Sequence, residues 1–233
     1  MGGMIEVETL DRQDRFNAYA AEPGRAPKAA IIVIQEIFGV NAGIRAKCDK
    51  LAGQGYLALA PDIFWRLEPG VDLDPDVPEQ LQQGFGFVQK VDLALAVQDI
   101  EATIRTARDR LGDGGKIGVV GYCFGGRLAY LAATRTDSDA SVGYYGGGID
   151  TLLGESHAIA KPLLLHFAGE DKHITPDKVA KVRDALAPNG HVEIHEYEGA
   201  DHGFATEFGK RRQDAAAEQA DARTADFFAK HLE

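Results

Sequence analysis

Apolar residues in this chain fall into short unbroken runs, with stretches of helical spacing between them. Residues 29–34, 57–60, 116–120 and 162–167 are aliphatic runs with little polar alternation, the pattern of strands buried on both faces. Residues 141–146 predict another strand, closing in a glycine-rich turn, and Val192–Tyr197 alternates as a strand. Helical spacing covers 44–54, where Ile44, Cys48 and Leu51 share a stripe and Gly55 is a stop signal. It returns at 91–111, at 126–133, at Pro176–Leu186 with Thr175 as N-cap, and at 213–232. Residues 4–10 and 15–20 predict an antiparallel hairpin at the sheet edge. Alternation of strand and helix predicts an α/β fold, a mostly parallel central sheet with helices on both faces. No linker, repeat or low-complexity tract interrupts it, so residues 1–233 are expected to form a single domain. Residues 63–90 are poorly periodic and hold Trp65, Pro69, Pro75 and Pro78. They predict an irregular lid or binding loop.

Charge narrows the function. The formal net charge of −11 argues against nucleic acid and anionic membranes as partners. It also discourages anionic substrates unless a local cationic pocket overrides it. No apolar run approaches the roughly 18 residues of a membrane span. Residues 1–6 lack the basic-then-apolar pattern of a secretory signal. The two cysteines, Cys48 and Cys123, have no disulfide-scaffold spacing and point to a reducing compartment. The expectation is a cytoplasmic protein acting on a small molecule.

The most informative stretch is Gly121-Tyr122-Cys123-Phe124-Gly125. It joins a predicted buried strand to a predicted helix through a sharp turn that only small neighbours permit. This is the Gly-x-Ser-x-Gly nucleophile elbow of the α/β-hydrolases with cysteine in place of serine. It presents Cys123 at a strand tip and at a helix start, where a thiol loses its proton more easily. A buried, space-filling cysteine beside close-packed glycines also fits the pentapeptide. The rest of the chain separates the two readings. Parallel strands end on one sheet edge, where ligands bind, and Glu36, Cys123, Asp171 and His202 all follow predicted strands. The order nucleophile, acid, histidine is that of the α/β-hydrolases. Cys123 would attack an acyl carbon, His202 would move the proton, and Asp171 would orient the imidazole. Asp201 and Glu170 are rival orienters. The oxyanion donors would be the backbone N–H groups of Phe124 and Ile37. His173 would line the pocket, His166 would be a satisfied core residue, and Cys48 would belong to the core. No metal-ligand spacing or dinucleotide fingerprint is present, so no metal or other cofactor is expected.

Gln35-Glu36-Ile37-Phe38-Gly39-Val40-Asn41, Gly121-Tyr122-Cys123-Phe124-Gly125-Gly126 and Asp201-His202-Gly203-Phe204 together resemble the dienelactone hydrolase (carboxymethylenebutenolidase) family over nearly the whole chain. The resemblance implies an α/β-hydrolase fold, a monomer or weak dimer, a Cys123–His202–Asp171 triad and no cofactor. It also implies that Glu36 contacts the resting thiol and helps deprotonate it. Members of the family clamp a substrate carboxylate with two arginines, whose places here fall near Leu81 and Thr206. With no arginine at either position, the pocket is expected to be more apolar, drawing on Phe38, Leu81, Phe85, Phe87, Tyr144, Tyr145 and Thr206. The expected reaction is hydrolysis of a lactone or activated ester of reduced acidity. The alternatives are a thioesterase or general carboxylesterase on the same site, or a non-catalytic small-ligand binder.

Overall fold

The apolar runs become strands of one sheet. In chain order these are β1 (Gly3–Glu8), β2 (Arg15–Ala21), β3 (Ala30–Ile34), β4 (Leu57–Pro61), β5 (Ile117–Tyr122), β6 (Ala140–Tyr144), β7 (Leu163–Ala168) and β8 (Val192–Tyr197). The helices are α1 (Ala42–Gly53), α2 (Pro78–Val88), α3 (Leu93–Leu111), α4 (Phe124–Arg135), α5 (Pro176–Leu186) and α6 (Asp214–Leu232). The computed structural model describes residues 2–112 and 114–233; Met1, the first residue read for a signal, lies outside them.

The eight strands lie in the order β1-β2-β4-β3-β5-β6-β7-β8. β1 and β2 form the expected antiparallel hairpin, and β2 pairs antiparallel with β4. From β4 to β8 every pairing is parallel. β3, β4, β5, β6 and β7 are buried at every position, which is why their sequences do not alternate. Helices cover both faces. A Cβ at Gly118 would meet Phe228 and Leu232 of α6, whereas one at Gly121 would meet Gly125 of α4. Odd spacing along a strand places the two on opposite faces. Cys48 lies inside α1 with no exposed surface, and burial pushes its thiol pKa well up.

One segment departs from expectation. Residues 63–90 are not irregular throughout, because they include α2. Pro78 opens that helix at its first turn, where a missing N–H costs nothing. Its close approach to the turn after β3 depends on Gly84, whose added Cβ would lie 2.6 Å from the Ile37 carbonyl oxygen. Thr175 does precede α5, but it makes no side-chain cap bond; its hydroxyl donates to Asp177 instead. Among the described residues no helix is long and apolar enough to cross a membrane.

Candidate active site

The site sits at the C-terminal edge of the parallel strands, and β5 is its centre. Register pairs Ile34 with Gly121 and Tyr122 with Tyr144, so the loops after β3 and β6 flank the one after β5. Cys123 follows β5 directly and adopts φ 55° and ψ −112°, a conformation that costs a non-glycine residue of order 1–3 kcal/mol. Its surroundings hold it there. Its N–H donates to the Tyr144 carbonyl at 3.0 Å, and its carbonyl accepts the N–H groups of Gly126 and Arg127 at 2.9 and 3.2 Å. Gly121 and Gly125 leave no alternative: a Cβ on the first would lie 1.9 Å from the Gly125 carbonyl oxygen, and one on the second 2.4 Å from that of Ile34.

The loops after β7 and β8 bring the two partners. His202 Nε2 lies 3.1 Å from Cys123 Sγ, and its Nδ1 lies 2.7 Å from Asp171 Oδ2. The other carboxylate oxygen, Oδ1, accepts the N–H groups of His173 and Ile174 at 2.8 and 3.0 Å. Burial opposes the charge on both groups, but it is overcome at both. The Asp171 carboxyl lies below its ordinary value because His202 and the two N–H groups favour the anion. Burial alone would lower the pKa of His202; Cys123 and Asp171 together hold it up at about 10. Neither rival orienter takes this place. Asp201 accepts the backbone N–H of His202, and it is Asp171 that bonds the ring.

Cys123 and His202 open into a cavity of about 650 Å³, lined among others by Ile37, Phe38, Leu81, Phe85, Val88, Phe124 and His173. Among the described residues no hydrogen-bond acceptor is found for the N–H of Ile37 or of Phe124. Both groups are thus free to receive an oxyanion. Leu81, Phe85 and Val88 share one face of α2 at helical spacing.

Other expected residues stand elsewhere. Tyr144 does not reach this cavity. Its ring is fully buried, and its hydroxyl bonds Thr224 at 2.6 Å and Asp221 at 3.1 Å. The next residue, Tyr145, instead lies against His202, with ring centroids 5.2 Å apart. Thr206 lines a second cavity, of about 600 Å³, and its hydroxyl has no protein partner. Phe87 stacks on Phe64 at 5.2 Å. Glu36 lines the second cavity and makes no hydrogen bond to the thiol; its Oε2 is 3.7 Å from Arg211 Nη2. His166 is the satisfied core histidine, bonded to Tyr197 and Thr224.

The expectation of a more apolar pocket is corrected. Arg127, Lys172, Lys210 and Arg211 all line the catalytic cavity, with Asp201 the one carboxylate among its lining residues. Arg211 stands five residues past Thr206, and the turn-rich chain between them folds it back over the Phe38 ring at 5.0 Å. Arg66, by contrast, pairs with buried Asp99.

A mostly parallel sheet, a strained turn after β5 and a hydrogen-bonded Cys, Asp and His in that chain order together define an α/β-hydrolase. The profile of the dienelactone hydrolase family matches residues 16–232. Carboxymethylenebutenolidases from Pseudomonas putida and Cupriavidus pinatubonensis are 38% and 32% identical over 225 and 224 residues, covering 97% and 96% of this chain and 95% of each relative. A crystal structure from Klebsiella pneumoniae, of a protein assigned as a dienelactone hydrolase, superposes with a TM-score of 0.85 at 30% identity, covering 99% of this chain and 100% of that one. The chain belongs to the dienelactone hydrolase family, and it is an ester or lactone hydrolase.

Proposed function

We propose that the chain hydrolyses an anionic lactone or ester through an acyl-enzyme on Cys123. The observation that carries this reading is the continuous relay from Asp171 Oδ2 through both His202 nitrogens to Cys123 Sγ, at 2.7 and 3.1 Å. His202 takes the thiol proton, and Asp171 favours the resulting imidazolium. The sulfur lone pair forms a bond to the acyl carbon while the carbonyl π pair moves onto oxygen. That oxyanion is received by the N–H groups of Ile37 and Phe124, each worth about 3 kcal/mol to the transition state. As the tetrahedral centre collapses, the C–O bond to the leaving group breaks and His202 gives its proton to that oxygen. A thioester remains. His202 then removes a proton from water, the hydroxide oxygen bonds to the acyl carbon, and the thiolate leaves.

Glu36 enters as the second carboxylate. Beside a resting thiol an anion disfavours the thiolate. Here its partner is Arg211, so an anionic substrate that engages Arg211 would release Glu36. The cationic lining supports a negatively charged substrate despite the net charge of −11. That charge type agrees with the carboxylated lactone implied by the relatives' name, carboxymethylenebutenolidase. The test is a panel of neutral and carboxylated lactones and esters against wild type and Cys123→Ala. Wild type is expected to prefer the carboxylated members, and Cys123→Ala to lose turnover on all of them. Residual turnover above about a thousandth of wild type would remove the acyl-enzyme.

A further inference from the structure

Two guanidinium groups line the cavity of Cys123, and each rests in a seat built from a glycine with positive φ. Arg211 lies over Phe38, from the loop after β3, with Nη1 3.1 Å from where a Cβ on Gly203 (φ 82°) would stand. Arg127 lies against the loop after β6. Its Nε donates to the Gly147 carbonyl, and its Nη2 lies 2.8 Å from where a Cβ on Gly148 (φ 88°) would stand. Phe38 and the Gly147–Gly148 turn belong to the loops after β3 and β6, the two neighbours of β5 in the sheet, whereas Gly203 belongs to the loop after β8.

Arg127 shares with Arg25 and Arg223 the lack of an ion pair among the described residues, but of the three it alone lines the cavity of Cys123. Among the described residues no carboxylate lies within ion-pair distance of it. It is half-buried beside the thiol, and burial lowers its pKa. Holding a guanidinium partly out of water with one carbonyl as its hydrogen-bond partner and Asp150 acting on it only through space is unfavourable. The cost is offset where a bound anion supplies the missing partner, and the planar fork suits a carboxylate. Arg211 keeps one weak partner in Glu36, so the two seats are chemically distinct.

We infer that Arg127 forms a second anion subsite, and that the preferred substrate is an ester or lactone bearing two carboxylates, one on each flank of the scissile bond. This rests on the acyl-enzyme reading above and adds to it the substrate's second charge. The carboxylate at one end meets Arg211 and Lys210, and the other meets Arg127. Between them the substrate's carbon frame lies on Phe38, Leu81 and Phe85.

Four matched esters test the assignment: 4-(methoxycarbonyl)phenyl butyrate, its succinate analogue, 4-carboxyphenyl butyrate and 4-carboxyphenyl hydrogen succinate. They carry no charge, an acyl-side charge, a leaving-side charge, or both. Wild type is expected to rank the doubly charged ester first by kcat/KM. Arg127→Gln should lose about 10- to 100-fold of the advantage given by one of the two charges, the worth of one charge-assisted hydrogen bond. Arg211→Gln should lose the advantage of the other. An equal loss on all four esters would show that Arg127 only stabilises the thiolate and would overturn the subsite; so would no loss. Cys123→Ala reports separately on the acyl-enzyme, because its failure to inactivate would reach every ester alike. A measurement on wild type alone covers the case of a misfolded variant. Dicarboxylates of four to eight carbons should protect Cys123 from iodoacetamide at concentrations at least about tenfold below those of matched monocarboxylates. Equal protection by the two series would also overturn the proposal.

Discussion

Changing Asp171 to asparagine keeps the size of the side chain and reverses one hydrogen bond. Oδ1 of Asp171 accepts two backbone N–H groups, from His173 and Ile174, at 2.8 and 3.0 Å. Those donors fix the replacement amide, because only its carbonyl oxygen can occupy their site. The amide nitrogen is then driven to the Oδ2 position, 2.7 Å from His202 Nδ1. Two donors cannot face each other at that distance. His202 must move its single proton to Nε2, the nitrogen that faces Cys123 Sγ, and there it can no longer accept the thiol proton. The lost charge also removes a main support of the imidazolium, so the His202 pKa falls from about 10. In the serine triad the same change costs about 10⁴ in kcat. A loss of about 10³ or more, some 4 kcal/mol of barrier, is expected here. KM should change little, and the melting temperature should move by only a few degrees because both backbone bonds survive. Stopped-flow release of p-nitrophenol gives the acylation rate, and NMR of the imidazole gives its pKa. A variant within tenfold of wild type in acylation, with the histidine pKa unmoved, would refute the role assigned to Asp171.

Three further outcomes follow from the same geometry. With the His202 pKa held at about 10, above its ordinary value near 6.5, the imidazolium that has taken the thiol proton persists through neutral pH, so kcat/KM should stay level there and fall as pH passes about 10 and the proton owed to the leaving oxygen is lost; an alkaline limb near 6.5 would contradict the relay. The sign for stability is the same: the raised pKa contributes fully below about pH 6.5 and the contribution is lost as pH rises toward 10, which thermal melts across that window would register. Gly125→Ala places a methyl 2.4 Å from the Ile34 carbonyl and 2.5 Å from that of Gln35; main-chain atoms cannot swing aside, so about 3 kcal/mol of stability and roughly 6–12 °C in melting temperature should be lost, with acylation failing at permissive temperature.

The sheet and the turn after β5 were legible in the sequence because both are written locally. Strands buried on both faces announce themselves as unbroken apolar runs, and the close contacts after β5 demand glycines at fixed spacing. α2 was obscured by Gly84 and Gly86, which weaken helix propensity, although Leu81, Phe85 and Val88 already carry a helical period. Tyr144 and Tyr145 show a finer limit. Neighbours at a strand end point to opposite sides, so only one could reach the site, and sequence alone did not say which. The cationic character of the pocket was hard to read because a guanidinium reaches far from its own Cα. Arg211 arrives through a turn, and Arg127 is set by a carbonyl and a glycine some twenty positions away.

The two cysteines differ in a way that lets a preparation of this enzyme be titrated. Cys48 is sealed inside α1, while Cys123 faces an open cavity. A chromogenic disulfide added to native protein should therefore consume one equivalent per intact molecule, which counts the competent fraction of any preparation. The second equivalent waits on global opening, and the speed at which it is taken up clocks how often the whole molecule comes apart.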